Sequence, residues 1–300
     1  MTALILLLIT SLFFTGILVK IKNFCSGKKG PGIFQPLKNV WVLLRKGAVY
    51  SETTSLIIRI APIVIFCAMF MAVLLVPVAG FKPLISFNGD FILFAYVLAL
   101  GRFMIIIAAF DSGSSFEGMG ASREALYGML IEPAFFILMG SLCLFTGQTS
   151  LNDIFNIFKG GNFDLVFGLA AVYILGNIAL VENSRIPIDD PKTHLELTMI
   201  HEVMVLDTSG FDLALIQITS FLRFAVFGSL IASVIIPWNL PAYIRLVLFF
   251  IVQVLFSVSI GIIESFRARY KMNRNQQYII TISLSAFILF IVVLLTKNIL

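Results

Sequence analysis

The sequence predicts an all-α integral membrane protein, a bundle of about eight transmembrane helices, and two observations indicate this fold class. Of the 300 residues, 59% are hydrophobic and 12% are charged, whereas soluble domains are about 45–50% apolar and about 25% charged. The apolar residues also fall in stretches of about 20, the length that crosses roughly 30 Å of hydrocarbon as a helix. A soluble enzyme, a disordered chain and a disulfide-stabilised secreted fold are therefore excluded.

Eight stretches of this kind follow one another along the chain. We predict spans at approximately 2–20, 57–79, 91–110, 125–146, 164–181, 213–236, 243–263 and 278–296. The first has neither a positively charged n-region nor a small-residue cleavage site, so we interpret it as a retained helix rather than a signal peptide. No internal repeat and no inserted soluble domain is found, which makes residues 1–300 one transmembrane domain.

Lysine and arginine are unevenly shared between the two sets of connections. The connections after spans one, three, five and seven hold fifteen of them, and the opposite set, including the C-terminal end, holds four. By the positive-inside rule, the first set is cytoplasmic and both termini lie outside. Topology thus accounts for the net charge of +5, and nucleic-acid binding is not expected.

The first long cytoplasmic connection, 21–56, contains a candidate amphipathic helix. Its apolar residues recur at helical spacing: Leu37, Val40, Trp41 and Leu44. Lys38 and Arg45 fall on the other side. Such a helix either lies in the headgroup plane of the bilayer or docks a partner.

The second long connection, 182–212, is acidic for so apolar a chain. It holds seven of the 16 acidic residues: Glu182, Asp189, Asp190, Glu196, Glu202, Asp207 and Asp212. Asp190 as N-cap and Pro191 at the first helical position predict a helix over 192–206. This helix is too apolar for free solvation, so we expect its acids in a polar pocket against the bundle or under a partner. A solvated loop without function is the alternative.

Ionisable residues within the spans are a second functional signal, because each costs roughly 2.5–3.5 kcal/mol at the bilayer centre. Those within spans or near their ends are Arg102, Arg223, Glu124, Glu132, Glu182 and Glu264. Arginine stays charged while glutamate ionises according to its surroundings, so glutamates with arginines between them form a workable proton relay. Ion pairs that merely join helices are the alternative.

Metal and cofactor sites are not predicted in this chain. The three cysteines are fewer than the four thiolates that an iron–sulfur cluster normally needs. His194 and His201 share a helical face, but no zinc-site motif or cysteine partner accompanies them.

Three segments resemble the membrane subunit shared by respiratory complex I (its subunit 1, or H subunit) and the group 4 nickel–iron hydrogenases. They are Gly30-Pro31-Gly32-Ile33-Phe34-Gln35-Pro36-Leu37, Gly118-Met119-Gly120-Ala121-Ser122-Arg123-Glu124 and Glu182-Asn183-Ser184-Arg185-Ile186-Pro187-Ile188-Asp189-Asp190-Pro191. The Glu-x-x-Arg-x-Pro-x-Asp element is the most specific match, and the eight-span layout agrees throughout the chain.

Within this family the sequence resembles the formate hydrogenlyase and hydrogenase-4 branch. Complex I versions read Pro-Glu-Ala-Glu-Ser-Glu-Leu where this chain has Pro191-Lys192-Thr193-His194-Leu195-Glu196-Leu197. Two of the three carboxylates are replaced, which puts quinone binding in doubt.

The resemblance implies a non-redox anchor in the inner membrane that docks the hydrogenase large and small subunits and joins them to antiporter-like subunits. The nickel–iron centre and the iron–sulfur clusters would lie in those partners, and no catalytic residue is assigned here. Coupling would use Glu182, Asp189, Glu196, Glu202, Glu132, Glu124, Glu264, Arg102 and Arg223. Docking and local structure would use Arg185, Pro187, Asp190, Arg123, Gly30 and Pro31. A quinone-reducing complex I-like subunit and, more distantly, an independent ion transporter are the alternatives.

Overall fold

The computed structural model describes residues 1–52, 54–156, 162–189 and 199–299, and within these ranges the chain is nearly all helical. Eight of the described helices are long and apolar enough to cross a membrane. They are α1 (Thr2–Cys25), α3 (Leu56–Leu75), α4 (Asp90–Asp111), α5 (Ser115–Thr146), α7 (Asn162–Glu182), α8 (Gly210–Ile235), α9 (Ala242–Phe266) and α10 (Met272–Ile299). Two shorter helices are α2 (Gln35–Leu44) and α6 (Leu151–Asn156). The all-α class and the eight spans are confirmed, while α6 was not predicted.

The connections after spans one, three, five and seven share one face of the bundle. The Asp207 N–H donates to the Glu117 carboxylate at the start of α5, at 2.9 Å. The Val49 N–H donates to the Ser209 hydroxyl at 2.9 Å, and the Tyr270 N–H donates to a carbonyl of the 183–189 turn at 3.0 Å. We call this face the basic face, because the lysine- and arginine-rich connections meet on it; its cytoplasmic orientation stays a prediction.

Helix α8 is the central element of the bundle. It packs against α1, α2, α3, α7 and α9, and it buries large side chains such as Phe224 and Phe227. It begins at Gly210, whose φ is +56°. A Cβ there would lie 2.3 Å from the Gly47 carbonyl oxygen, so glycine lets the two connections of the basic face meet.

The amphipathic helix α2 forms where its spacing predicts it, but its apolar face is narrower than expected. Val40 is buried, whereas Trp41 is 57% exposed. The Arg45 guanidinium lies 4.8 Å from the centre of the Trp41 ring. Helix α2 packs on α8 and α1 with part of its apolar surface uncovered.

The predicted helix over 192–206 is wrong for its described part. Residues 190–198 lie outside the described ranges, and beyond them only a short 3-10 helix forms, Glu202–Val205. Backbone groups that such a helix would pair internally are bound elsewhere: the Ile200 and His201 N–H groups donate to Asp189, and the Met199 carbonyl accepts from Arg123. Most of the apolar side chains over 199–205 are nevertheless buried, as the expected packing against the bundle requires.

Candidate functional site

One guanidinium, that of Arg102 on α4, binds three of the predicted relay glutamates. Its Nη1 lies 3.0 Å from Oε1 of Glu132, and its Nε lies 3.5 Å from Oε1 of Glu124. Its Nη2 donates to Oε1 of Glu182. Helix α5 supplies two of the carboxylates and the end of α7 supplies the third. We call these residues, with Arg223, the Arg102 cluster.

The sequence of α5 explains how Arg102 reaches both of its carboxylates on that helix. Glu124, Gly128 and Glu132 recur at intervals of four and therefore lie on one helical face. A Cβ at Gly128 would lie 2.7 Å from Cδ of Arg102 and 2.8 Å from its Nη1. The missing side chain lets the arginine lie across α5 between the two glutamates.

Arg223 joins the cluster from α8 through the backbone. Its Nη1 donates to the Glu182 carbonyl oxygen at 2.9 Å. Two guanidinium groups thus meet three carboxylates, and the fully ionised cluster carries one net negative charge. Binding of one proton makes it neutral, which suits a relay in a medium that penalises net charge.

Asp189 organises the turn that follows α7. Its Oδ1 lies 3.2 Å from Nη2 of Arg269, and its Oδ2 accepts from Ile200 at 3.2 Å and from His201 at 3.0 Å. One carboxylate therefore joins the turn 183–189, the backbone of residues 200–201 and the α9–α10 connection. Pro187 takes part through its carbonyl, which accepts from Tyr270 at 3.0 Å.

Glu264 does not belong to the Arg102 cluster but forms ion pairs with two other cations, Arg185 and Lys22. Its Oε1 accepts from Arg185 at 3.3 Å, and its Oε2 lies 3.4 Å from Nζ of Lys22. Arg185 therefore joins the turn after α7 to α9; its docking role stays a prediction. No described contact joins Glu264 directly to Arg102.

A cavity of about 430 Å³ opens between α1, α2, α8 and the turn after α7. Its polar lining residues are Gln35, Asn39, Asn183, Ser184, Arg185, His201, Glu202, Gln217 and Ser220. Pro31 also lines the cavity. Burial, with the charges of Arg223 and Arg185, lowers the pKa of His201 to about 4, so this side chain is neutral near pH 7.

Of the remaining predicted site residues, Gly30 is described by the structure and Asp190 and Glu196 are not. Gly30 packs on α1, where a Cβ would lie 2.5 Å from Nδ2 of Asn23. Asp190 and Glu196 lie outside the described residues. In the described ranges, no group of three or more His, Cys, Asp or Glu side chains could hold a metal ion; the absence of a cofactor stays a prediction.

Sequence reasoning missed Arg269 and Lys22 as functional partners. Both belong to basic runs beside spans, 267–274 and 20–29, and the charge count assigned those runs to topology alone. His201 was considered only as a metal ligand. If each carboxylate in or near a span is expected to face a cation, the two basic runs are the candidates. Their sequence does not identify which residues form the pairs.

The fold and these clusters define a multi-pass membrane protein with an ion-paired network inside its spans. A family model described as NADH dehydrogenase matches residues 1–295, and the chain belongs to this family. The predicted membership in the family of complex I subunit 1 is thereby confirmed.

Curated relatives include both branches of the family. Hydrogenase-4 component C of Escherichia coli (strain K12) is 31% identical over 237 residues, covering 79% of this chain and 74% of that protein. Formate hydrogenlyase subunit 4 of the same strain is 26% identical over 216 residues, covering 71% and 68%. The H subunit of NADH-quinone oxidoreductase from Rubrobacter xylanophilus is 26% identical over 220 residues, covering 71% and 65%.

A solved structure shares the fold over almost the whole chain. It is titled a membrane-bound sulfane sulfur reductase, an archaeal respiratory membrane complex, and one of its chains matches with a TM-score of 0.84 at 18% identity. The match covers 97% of this chain and 96% of that one. At this identity the likeness supports the fold alone.

Proposed function

We propose that this protein is the non-redox membrane anchor and coupling subunit of an energy-converting nickel–iron hydrogenase complex of the formate hydrogenlyase or hydrogenase-4 type. It lies in the inner membrane and docks the hydrogenase large and small subunits on its basic face. It links hydrogen evolution there to proton or sodium translocation by antiporter-like subunits. The nickel–iron centre and the iron–sulfur clusters belong to those partners.

The observation that carries this proposal is the position of Glu182. Its carboxylate binds Arg102 within the bundle, and its carbonyl accepts from Arg223, yet it is the last residue of α7. The turn that begins beside it leads to Asp189, Ile200 and the basic face. A displacement of that turn by a docked subunit therefore moves a carboxylate of the Arg102 cluster.

The cluster's charge balance supports a role in coupling. Because its carboxylates outnumber its guanidinium groups by one, a proton can bind without leaving an unpaired cation in the spans. Moving Glu182 away from Arg102 weakens one of the three ion pairs and changes the charge balance at which the cluster binds a proton. Proton uptake is then linked to the conformation of the turn.

A quinone-reducing complex I-like role is the second candidate, and the cavity is the observation that favours it. At about 430 Å³ its volume lies in the range of small-molecule sites, roughly 300–1,000 Å³. Its polar wall carries Arg185, His201 and Glu202. Bound quinone, or quinone-dependent activity of the purified complex, would favour this candidate.

The decisive experiment is gentle purification of the tagged chain followed by mass spectrometry of its partners. We expect a nickel–iron large subunit and antiporter-like subunits. A complex without a hydrogenase subunit, or a chain that is active alone, would refute the proposal. An independent ion transporter would account for the second of these results.

The coupling part is tested by Glu182→Gln in membrane vesicles, with the exposed Glu52→Gln as matched control. We expect Glu182→Gln to assemble with its partners and to lose the response of hydrogen production to an uncoupler, because the amide cannot titrate. Equal uncoupler responses in both variants and the wild type would contradict the relay and leave an anchor.

A further inference from the structure

The last two spans of the chain diverge from each other at the basic face. Helix α9 packs against α1 and α8, whereas α10 packs against α5 and α7. Their connection, 267–271, is short, yet the two helices pack on other spans rather than on each other. Between them lies α7, which packs against both α10 and α8 and exposes Leu169 and Tyr173, at 62% and 66%. We call this gap the α9/α10 cleft.

Aromatic and polar side chains of α7 and α10 line the cleft near the basic face. The Tyr278 hydroxyl donates to Oδ1 of Asn177, and the Tyr278 ring packs edge-on against Tyr270 with ring centres 5.9 Å apart. The charge of Arg267 lies within electrostatic range of Tyr278. Both Asn177 and Tyr278 lie within about 9 Å of the basic-face ends of their helices. Tyrosines are enriched at this depth, where lipid headgroups meet the hydrocarbon.

The hydroxyl of Tyr173 has no acceptor among the residues that the structure describes. Tyr173 lies one turn deeper than Asn177, whose Nδ2 donates to the Tyr173 carbonyl at 2.7 Å. A tyrosine on a lipid-facing surface keeps its apolar ring among acyl chains and turns its polar tip towards the headgroups. Acyl chains accept no hydrogen bond, but the ester carbonyls at the glycerol backbone of a phospholipid do. The hydroxyl therefore indicates a lipid ester at this position.

The end of the cleft at the basic face carries an excess of positive charge. Three exposed cations follow the end of α9: Arg267, Lys271 and Arg274. No acidic residue occurs between 265 and 300, and in the described part of the chain none of the three cations pairs with a carboxylate. The first turn of α10 also lacks an acidic side chain, so its N–H groups add to the attraction for an anion.

We propose that the α9/α10 cleft binds one anionic phospholipid, of the phosphatidylglycerol type, from the leaflet at the basic face. Its phosphate lies against Arg267, Lys271 and Arg274, and one ester carbonyl accepts from the Tyr173 hydroxyl. The acyl chains follow the exposed apolar side chains of α7 and α9. Charge complementarity commits the site to an anionic headgroup, because basic clusters beside a span attract anionic lipids. A zwitterionic lipid and a transmembrane helix of another subunit are the competing occupants.

The first test is native mass spectrometry of the full chain, purified in mild detergent with its partners. The complex is reconstituted in nanodiscs of equal parts phosphatidylcholine and phosphatidylglycerol with matched acyl chains, and the lipid that stays on this chain after release is identified. We expect one phosphatidylglycerol, retained about fivefold or more above phosphatidylcholine. Equal retention of the two lipids would overturn the proposal.

Variants separate a defined site from a general attraction of lipid to a basic surface. Arg267→Gln combined with Arg274→Gln should lower retention of phosphatidylglycerol about tenfold or more. The matched control is Lys28→Gln combined with Lys29→Gln, which removes two exposed cations from the connection after α1 and should leave retention unchanged. Tyr173→Phe removes only a hydroxyl, so it should weaken retention of both lipids and keep the preference for the anionic one. Equal losses in the two double variants, or none in either, would refute the site.

A photoactivatable phosphatidylglycerol, with a diazirine in one acyl chain, distinguishes a lipid from a protein occupant in the intact complex. We expect it to label peptides of α7 and α9 more strongly than peptides of the lipid-exposed α3, and the Arg267→Gln/Arg274→Gln variant to lose this excess. If α3 is labelled while α7 is not, another subunit fills the cleft and the proposal fails. Neither result depends on which peripheral subunits are recovered, so the proposed function is tested separately.

Discussion

Replacement of Arg269 by alanine should release residues 199–206 from the turn that follows α7. Asp189 is buried and bridges Arg269 to the Ile200 and His201 N–H groups. Removing one partner of a buried ion pair costs about 3–5 kcal/mol, but Asp189 keeps two backbone donors here. Because these donors still compensate the carboxylate, we expect a smaller cost, about 2–3 kcal/mol.

The assay is amide hydrogen exchange, because the two N–H groups bound by Asp189 report directly on the opening of this segment. A cost of about 2–3 kcal/mol raises the open population about 30- to 150-fold. Exchange of a peptide covering 199–206 should accelerate by this factor in Arg269→Ala. Peptides from the interior of α8 should keep their wild-type rates.

Arg267→Ala is the matched control, since Arg267 is exposed and belongs to the same connection. It removes one positive charge from the basic face without breaking the Asp189 pair. If both variants exchange at the same rate over 199–206, the ion pair does not hold the segment and the reasoning fails.

Three further predictions concern packing and pH. Gly128→Ala places a Cβ 2.7 Å from the Arg102 side chain, so it should lower the free energy of unfolding in detergent by about 1–3 kcal/mol, whereas Gly140→Ala, with open space around it, should have little effect. Gly16→Ala places a Cβ 1.8 Å from a backbone carbonyl of the following connection and should expose that connection to protease, unlike Gly32→Ala, which meets nothing within 4 Å. In the folded protein the pKa of His201 is lowered to about 4. As the pH falls, the unfolded chain therefore binds a proton at this histidine before the folded chain does. The free energy of unfolding should fall by about 1–3 kcal/mol as the pH drops from about 6.5 to 4. A pH–stability profile for His201→Gln that equals the wild-type profile would contradict the last of these.

Hydropathy and charge were sufficient for the architecture of this protein. Each predicted span overlaps a helix long enough to cross the membrane, because a bilayer requires every backbone group in a span to be paired within its own helix. The shared face of the odd-numbered connections also follows from the alternation of eight spans. Sidedness rests on the positive-inside rule alone.

Local pattern failed where side chains bind the backbone. A helix was predicted over 192–206, but Asp189 and Arg123 bind backbone groups of residues 199–201 in the interior of that run. Such long-range competition cannot be read from propensity. The exposure of Trp41 was not predicted either. It arises because α2 packs only part of its apolar surface against α8.

The candidate site was predicted as a set of residues and not as a geometry. Charged groups in spans are rare enough to identify Arg102 and its glutamates from sequence. Their convergence on one guanidinium depends on Gly128, and the separation of Glu264 from them depends on Lys22 and Arg185. Neither follows from spacing along the chain.

The three carboxylates around Arg102 also bear on how the chain enters the membrane during synthesis. Helix α4 emerges first and carries a permanent cation, whose cost in an insertion assay is roughly 2.5–3.5 kcal/mol. Its two nearest counter-ions in the chain, Glu124 and Glu132, arrive with α5 after a connection of only three residues. Release of α4 and α5 into lipid as a hairpin is therefore favoured over release of α4 alone, and Glu182 joins the pair when α7 follows.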